Sequence, residues 1–209
     1  MTLLQYPITI AIIILTSLIS IVAFKDGDLK YKLLLYPYRM RHNKETYRIL
    51  SHIFIHADYM HLIFNMVVLF SFGSIMEHLF NVSFGSELGS FHFLILYLAG
   101  GVVATIWPCI RNSENPSYMS LGASGAVSAI LFASIIWIPY GGIYVMFIPI
   151  EIPAWLFGIL YLLFEFYMNK KGGGKIAHDA HIGGALFGVF YAIIIEPHKG
   201  TEFINYILG

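Results

Sequence analysis

Three short stretches hold residues whose types and spacing could do chemistry. In MSLGASGAVSAI (119–130), Ser124 stands among small residues where an apolar run begins. In HADYMHLIFN (56–65), His61 and Asn65 are four residues apart and so share one face of a helix. In HDAHIGGALFG (178–188), His181, Gly184 and Gly188 fall at i, i+3 and i+7, again on one face. A serine hydroxyl is a weak nucleophile alone and needs an adjacent base. His181 is the candidate base. Attack on an amide creates an oxyanion that needs donors already in place. His61, the Asn65 amide and the Ser124 N–H at a helix N-terminus supply them. No carboxylate is placed to orient His181: Asp179 lies two residues away, about 200° around the helix. A Ser–His dyad is the economical reading. GASGA misses the G-x-S-x-G nucleophile elbow because position 126 is Ala, so an α/β-hydrolase gains no support.

These residues sit in an unusually apolar chain. Of 209 residues, 58% are hydrophobic and 11% charged, and the mean hydropathy is +0.74. A soluble domain carries about 25% charged residues, so most of this exterior is expected to face lipid. Zero formal net charge points to no nucleic-acid partner. A single cysteine, Cys109, excludes an intrachain disulfide framework and a thiolate cluster.

A membrane span needs roughly 20 mostly apolar residues, and backbone groups in lipid must be satisfied within the segment, so the spans read as helices. Six are expected, at about 7–24, 56–80, 91–110, 121–138, 143–168 and 178–195, the fifth interrupted by Pro149 and Pro153. The first reads as a retained span rather than a signal peptide, for it has neither a basic leading region nor a small-residue cleavage site. A long loop covers about 25–50. The whole, 1–209, reads as one all-α polytopic domain. Pro139, Gly141 and Gly142 end the fourth helix early. Its 18 residues reach only about 27 Å, so one end is expected in a recess that water can enter. Helices two, four and six run the same way across the membrane, which brings His61, Ser124 and His181 to one side at similar depth. Eleven of the twelve Lys and Arg residues fall in the loops after spans one, three and five. The positive-inside rule then puts both termini outside.

A polar side chain in a membrane helix is a functional hypothesis by default, yet serine also serves simply to let helices approach. Ser71, Ser74, Ser128 and Ser134 read as packing residues of that kind. Ser124 differs by its company. His56-ADYM-His61-LIF-Asn65, Gly122-Ala-Ser124-Gly125 and Ala180-His181-IGGALFG resemble the motifs of the rhomboid family of intramembrane serine proteases, in the right order and over nearly the whole chain. The resemblance implies a six-helix rhomboid bundle, Ser124 as nucleophile, His181 as base and His61 with Asn65 at the oxyanion. It implies single-span membrane proteins as substrates, cut near the surface of the bilayer, and no metal or other cofactor. His56, Arg48 (paired with Tyr47), Glu77, Gly122, Gly125, Gly184 and Gly188 take supporting roles, and His52 and His178 structural or interfacial ones. Two features depart from the family. Ser128 stands where many members pack an aromatic ring on the histidine, and the loop charges oppose the family's usual topology, which is the one favoured here. Small size alone points to a bacterial inner membrane.

Three rival readings compete. His52, His56, His61, His178 and His181 have the look of a histidine-box metal oxidase, but five ligands are few, and Asn65 and GASG go unexplained. A catalytically inactive relative that binds membrane clients would usually have lost Ser or His. A transporter would need an inverted repeat or a membrane-buried acidic residue suited to ion coupling, and neither stands out.

Overall fold

The computed structural model describes residues 6–144, 150–172 and 177–209. Helix α1 (Pro7–Lys25) shows how lipid inverts the usual pattern. It buries Thr9, Ile12, Thr16, Ser20 and Ala23 and turns Ile14, Leu15, Leu18, Ile21 and Val22 outward. Small and polar residues face the protein because helices associate in a membrane by close packing and hydrogen bonds, while the apolar side chains lose nothing in lipid.

The first loop is less irregular than expected. It contains α2 (Gly27–Leu33), α3 (Pro37–Asn43), α4 (Arg48–Ser51) and a 3-10 turn at His52–Phe54. The second span, Tyr59–Phe84, joins α5 (Tyr59–Val68) through a π turn (Leu69–Gly73) to α6 (Ser74–Phe84). It starts later than its apolar pattern predicts, because the Asp58 side chain caps it by accepting from the His61 N–H, leaving His56 in the loop. The third span, Ser86–Asn112, comprises α7 (Ser86–Ala104) and α8 (Ile106–Asn112). Next comes α9 (Ser124–Trp137), in which every residue from Gly125 to Trp137 is buried. A helix apolar all round is one surrounded by others, and at 14 residues it is about 21 Å long.

Beyond α9 the expected fifth helix is corrected. A small antiparallel hairpin, β1 (Gly142–Tyr144) and β2 (Glu151–Pro153), sets Ile143 opposite Ile152. Helix α10 (Ala154–Lys171) begins only after Pro153, whose ring is compatible with a helix start but not a helix interior. Pro149 and Lys175, used in the sequence reading, lie outside the described residues. Helix α11 (His178–Ile195) follows as expected, and α12 (Pro197–Leu208) extends the chain by a short helix the hydropathy pattern did not predict. By length and composition, α1, Tyr59–Phe84, Ser86–Asn112 and α11 can cross a membrane. The remaining two expected spans correspond to the enclosed α9 and to α10. The architecture is a polytopic helical bundle with α9 at its centre.

Two buried charges fasten the bundle. Glu77 on α6 is fully buried and accepts from the N–H groups of Ile8 and Thr9 and from the Thr9 hydroxyl, at 2.9, 2.7 and 2.7 Å. It thereby satisfies the open N-terminus of α1 and sits where the helix dipole favours negative charge. Arg48 is also buried; it donates to the carbonyls of Tyr31 and Leu34 and pairs with Glu45. Glu77→Ala strands three donors, the two of Thr9 buried and that of Ile8 partly so, and is expected to destabilise the protein by about 2–4 kcal/mol, with Glu77→Gln milder. Thermal unfolding in detergent measures this; an unchanged midpoint for Glu77→Ala would contradict the role.

Candidate active site

The segment before Ser124 is fixed by the first loop. Leu35 and Ser120 exchange both backbone hydrogen bonds, at 2.9 and 3.1 Å. The Gly122 N–H donates to the His52 carbonyl at 3.0 Å, and the Ala123 N–H to His56 Nε2 at 3.4 Å. His56 Nδ1, which then carries the proton, lies 3.0 Å from Ser20 Oγ on α1. That tautomer is assigned from its partners. His56 thus ties α1 to the residue just before Ser124, a more specific support than its motif implied. Burial pushes the His56 imidazole down to about 3 and that of His52, which bonds the Arg48 carbonyl, down to about 4.

Gly122 has a backbone φ of +123°, a conformation that favours glycine. A Cβ there would also stand 2.7 Å from His61 Cε1 and 2.9 Å from its Nε2. His61 Nδ1 accepts from the Ala57 N–H at 3.4 Å, which leaves the proton on Nε2, the atom facing Gly122. His61 therefore presents an N–H donor beside the approach to Ser124. No side chain caps α9, so its first N–H groups are open to a ligand. Asn65 is buried, and its Nδ2 donates to the His61 carbonyl at 2.9 Å. One of its two amide hydrogens is thereby engaged.

His181 Nε2 lies 2.8 Å from Ser124 Oγ. Glycines make that distance possible. A Cβ on Gly184 would collide with the Gly125 carbonyl, one on Gly188 with the Ala129 carbonyl, and one on Gly125 would come 2.6 Å from Ala104 Cβ. Helices α9 and α11 pack backbone to backbone. A cavity of about 20 Å³ beside Ser124, lined by His52, Gly122, Ala177 and Ala180 among others, has room for about one water.

The sequence reading missed one partner. The far nitrogen of His181, Nδ1, lies 3.1 Å from Glu165 Oε1, and the other oxygen of Glu165 lies 2.6 Å from His178 Nδ1. The absence of an orienting carboxylate was therefore an incorrect expectation. Glu165 is buried. It arrives from α10, whose inward face reads Ala154, Gly158, Tyr161, Glu165, at i, i+4, i+7 and i+11. Tyr161 bonds Ser128, hydroxyl to hydroxyl, at 3.0 Å. Ser128 thus binds an aromatic residue contributed by a neighbouring helix. Asp179 accepts from the Ala180 N–H and does not reach His181, as its helical angle predicts. His178 is a buried neighbour of the site rather than an interfacial residue. A lone glutamate in WLFGILYLLFEFYM is a costly placement in a span, and that signal was readable.

Among the described residues, one group of three possible metal ligands is Glu165, His178 and His181. Their 2.6 and 3.1 Å separations are those of hydrogen bonds. His52, His56 and His61 do not join them, so the histidine-box arrangement is not assembled.

Residues 43–198 match the Rhomboid domain family model. The chain is 34% identical over 140 residues to presenilin-associated rhomboid-like protein A, mitochondrial, of Danio rerio, covering 66% of this chain and 34% of that protein. It is 31% identical over 147 residues to RHOMBOID-like protein 12, mitochondrial, of Arabidopsis thaliana, covering 63% and 41%. It is 28% identical over 152 residues to Rhomboid protein 1, mitochondrial, of Saccharomyces cerevisiae, covering 71% and 41%. The matched region therefore spans about a third to two fifths of these relatives.

The two buried imidazoles link stability to pH. Unfolded, each titrates near ~6.5; folded, at about 4 and about 3. The unfolded chain binds more protons between these values, so their contribution is complete above about pH 6.5 and is lost as pH falls. Together they are expected to remove about 2–4 kcal/mol between pH 7 and pH 5. Unfolding midpoints of Ser124→Ala protein across that range test this; a midpoint independent of pH contradicts it. Gly122→Ala, strained and in collision with His61, is expected to lower the unfolding midpoint of the same protein, and an unchanged midpoint contradicts it.

Proposed function

Since the chain belongs to the rhomboid family, we propose that it is an intramembrane serine endopeptidase acting on single-span membrane proteins. The observation that carries this reading is the 2.8 Å contact between Ser124 Oγ and His181 Nε2, inside a bundle whose outer face is apolar. A substrate helix with helix-breaking residues enters sideways and partly unwinds. The Ser124 Oγ–H proton passes to His181 Nε2 as Oγ bonds to the scissile carbonyl carbon. The oxyanion is met by the Ser124 N–H, His61 Nε2–H and the Asn65 amide. As the C–N bond breaks, His181 returns the proton to the leaving nitrogen, and water then hydrolyses the acyl-enzyme. No step calls on a metal. A six-span rhomboid bundle is part of the same proposal. The bacterial inner membrane expected from size gains no support from relatives named as mitochondrial, so the reading keeps only an integral membrane protein.

Binding of membrane clients without cleavage is the second reading, and the departure at Ser128 favoured it. The Glu165 carboxylate at His181 Nδ1 holds the imidazole from the other side and weakens that argument.

Cleavage of a single-span reporter by purified protein in detergent decides between them. Wild type is expected to cut, indifferent to a strong chelator, while Ser124→Ala and His181→Ala do not. Wild type that cuts nothing across several reporters contradicts the proteolytic reading and favours client binding. His61→Ala and Asn65→Ala are expected to lower kcat with little change in KM, because the charge they meet exists only in the transition state; effects confined to KM would remove them from the oxyanion site. His181 must be neutral to accept a proton, so the rate is expected to fall in acid; an unchanged rate well below pH 5 contradicts this.

A further inference from the structure

We propose that Glu165 is the positioning carboxylate of a Ser124–His181–Glu165 triad, itself clamped by His178. This rests on the proteolytic reading and deepens it. A Ser–His dyad leaves the base free to rotate and to carry its proton on either nitrogen. Glu165 Oε1, 3.1 Å from His181 Nδ1, accepts an N–H there. It thereby holds the lone pair on Nε2, which faces Ser124 Oγ at 2.8 Å. When Nε2 takes the serine proton, Nδ1 keeps its own, and the carboxylate stands against the new imidazolium charge.

His178 completes the geometry. Its Nδ1 lies 2.6 Å from Glu165 Oε2, while its Nε2 is buried with no hydrogen-bond partner among the described residues. A neutral ring protonated on Nδ1 donates to Glu165 and leaves only an acceptor unpaired. A charged ring would bury an unsatisfied N–H donor, which is more costly. His178 therefore acts as a neutral donor to one carboxylate oxygen, which leaves the negative charge of Glu165 available to His181. Tyr161, one turn before Glu165 on the same face, seats α10 against α9 through Ser128. The three helices thus converge on one proton path.

Glu165→Gln keeps the shape of the side chain and removes its charge. Its amide can turn an NH2 toward Nδ1, which places the histidine proton on Nε2, where it cannot accept from serine. Glu165→Asp keeps the charge and shortens the reach. Reporter cleavage is expected to show kcat lowered about 10²–10⁴-fold in Glu165→Gln with KM within about threefold, and a partial recovery in Glu165→Asp. A packing role reverses the order, because Gln is the better steric match; Gln at or above Asp, or kcat within threefold of wild type, overturns the proposal. A direct measurement needs no variant at residue 165. Histidine ¹⁵N spectra of wild type, with His181 identified by its loss in His181→Gln, are expected to show the Nδ1–H tautomer. The Nε2–H tautomer overturns the proposal whether or not any reporter is cut. Stoichiometric zinc bound through Glu165, His178 and His181 also overturns it, since zinc would occupy the Nδ1 position. Wild type that cleaves nothing but shows the Nδ1–H tautomer refutes the proteolytic reading while supporting the Glu165 contact.

Discussion

Everything at the site depends on how closely α9 and α11 approach. Side chains at 184 or 188 would strike the carbonyls of Gly125 and Ala129, and the two helices would separate by the width of a methyl group or more. His181 would then leave hydrogen-bond range of Ser124, because the 2.8 Å contact has no slack. In lipid, no hydrophobic force presses helices together, so the absence of side chains along this seam is what allows the packing. The seam also lets Ser124 sit at the end of a short helix whose every following residue is enclosed.

The polar groups that fasten the bundle follow one rule: Glu77, Arg48 and Glu165, each buried, find hydrogen-bond partners on another element. Glu77 receives the first N–H groups of α1, Arg48 the carbonyls of α2 and its exit, and Glu165 two imidazoles of α11. Breaking such a pair strands a charge in a medium that cannot solvate it. Scaffold and site are therefore continuous. His56 shows this best, reaching Ser20 on α1 with one nitrogen and the Ala123 N–H with the other. The first loop places Ser124 in the same way, through the Leu35–Ser120 pairing and the His52 carbonyl.

The parts legible in the sequence were those with a local signature. Ser124, His61 and His181 lie at helix starts, and glycines at i+3 and i+7 from His181 mark a close seam. The start of α10 was not legible, because the apolar run from Ile143 continues across Pro153 and hides a hairpin. Glu165 was missed for a different reason. Its role depends on α10 packing against α11, a long-range arrangement without a spacing pattern, although a single acid in an apolar helix was itself a signal. The partner of Ser128 was not legible because the sequence shows only its own helix, while Tyr161 comes from the next one.

Whether His181 makes Ser124 a nucleophile is open to direct measurement. Covalent labelling by a fluorophosphonate, which reports serine reactivity without requiring a substrate helix, tests it most directly. An adduct mapped by mass spectrometry to Ser124 alone is expected, formed in wild type and lost in folded His181→Ala. Labelling of Ser124 at the same rate in His181→Ala, or none in folded wild type, would contradict it.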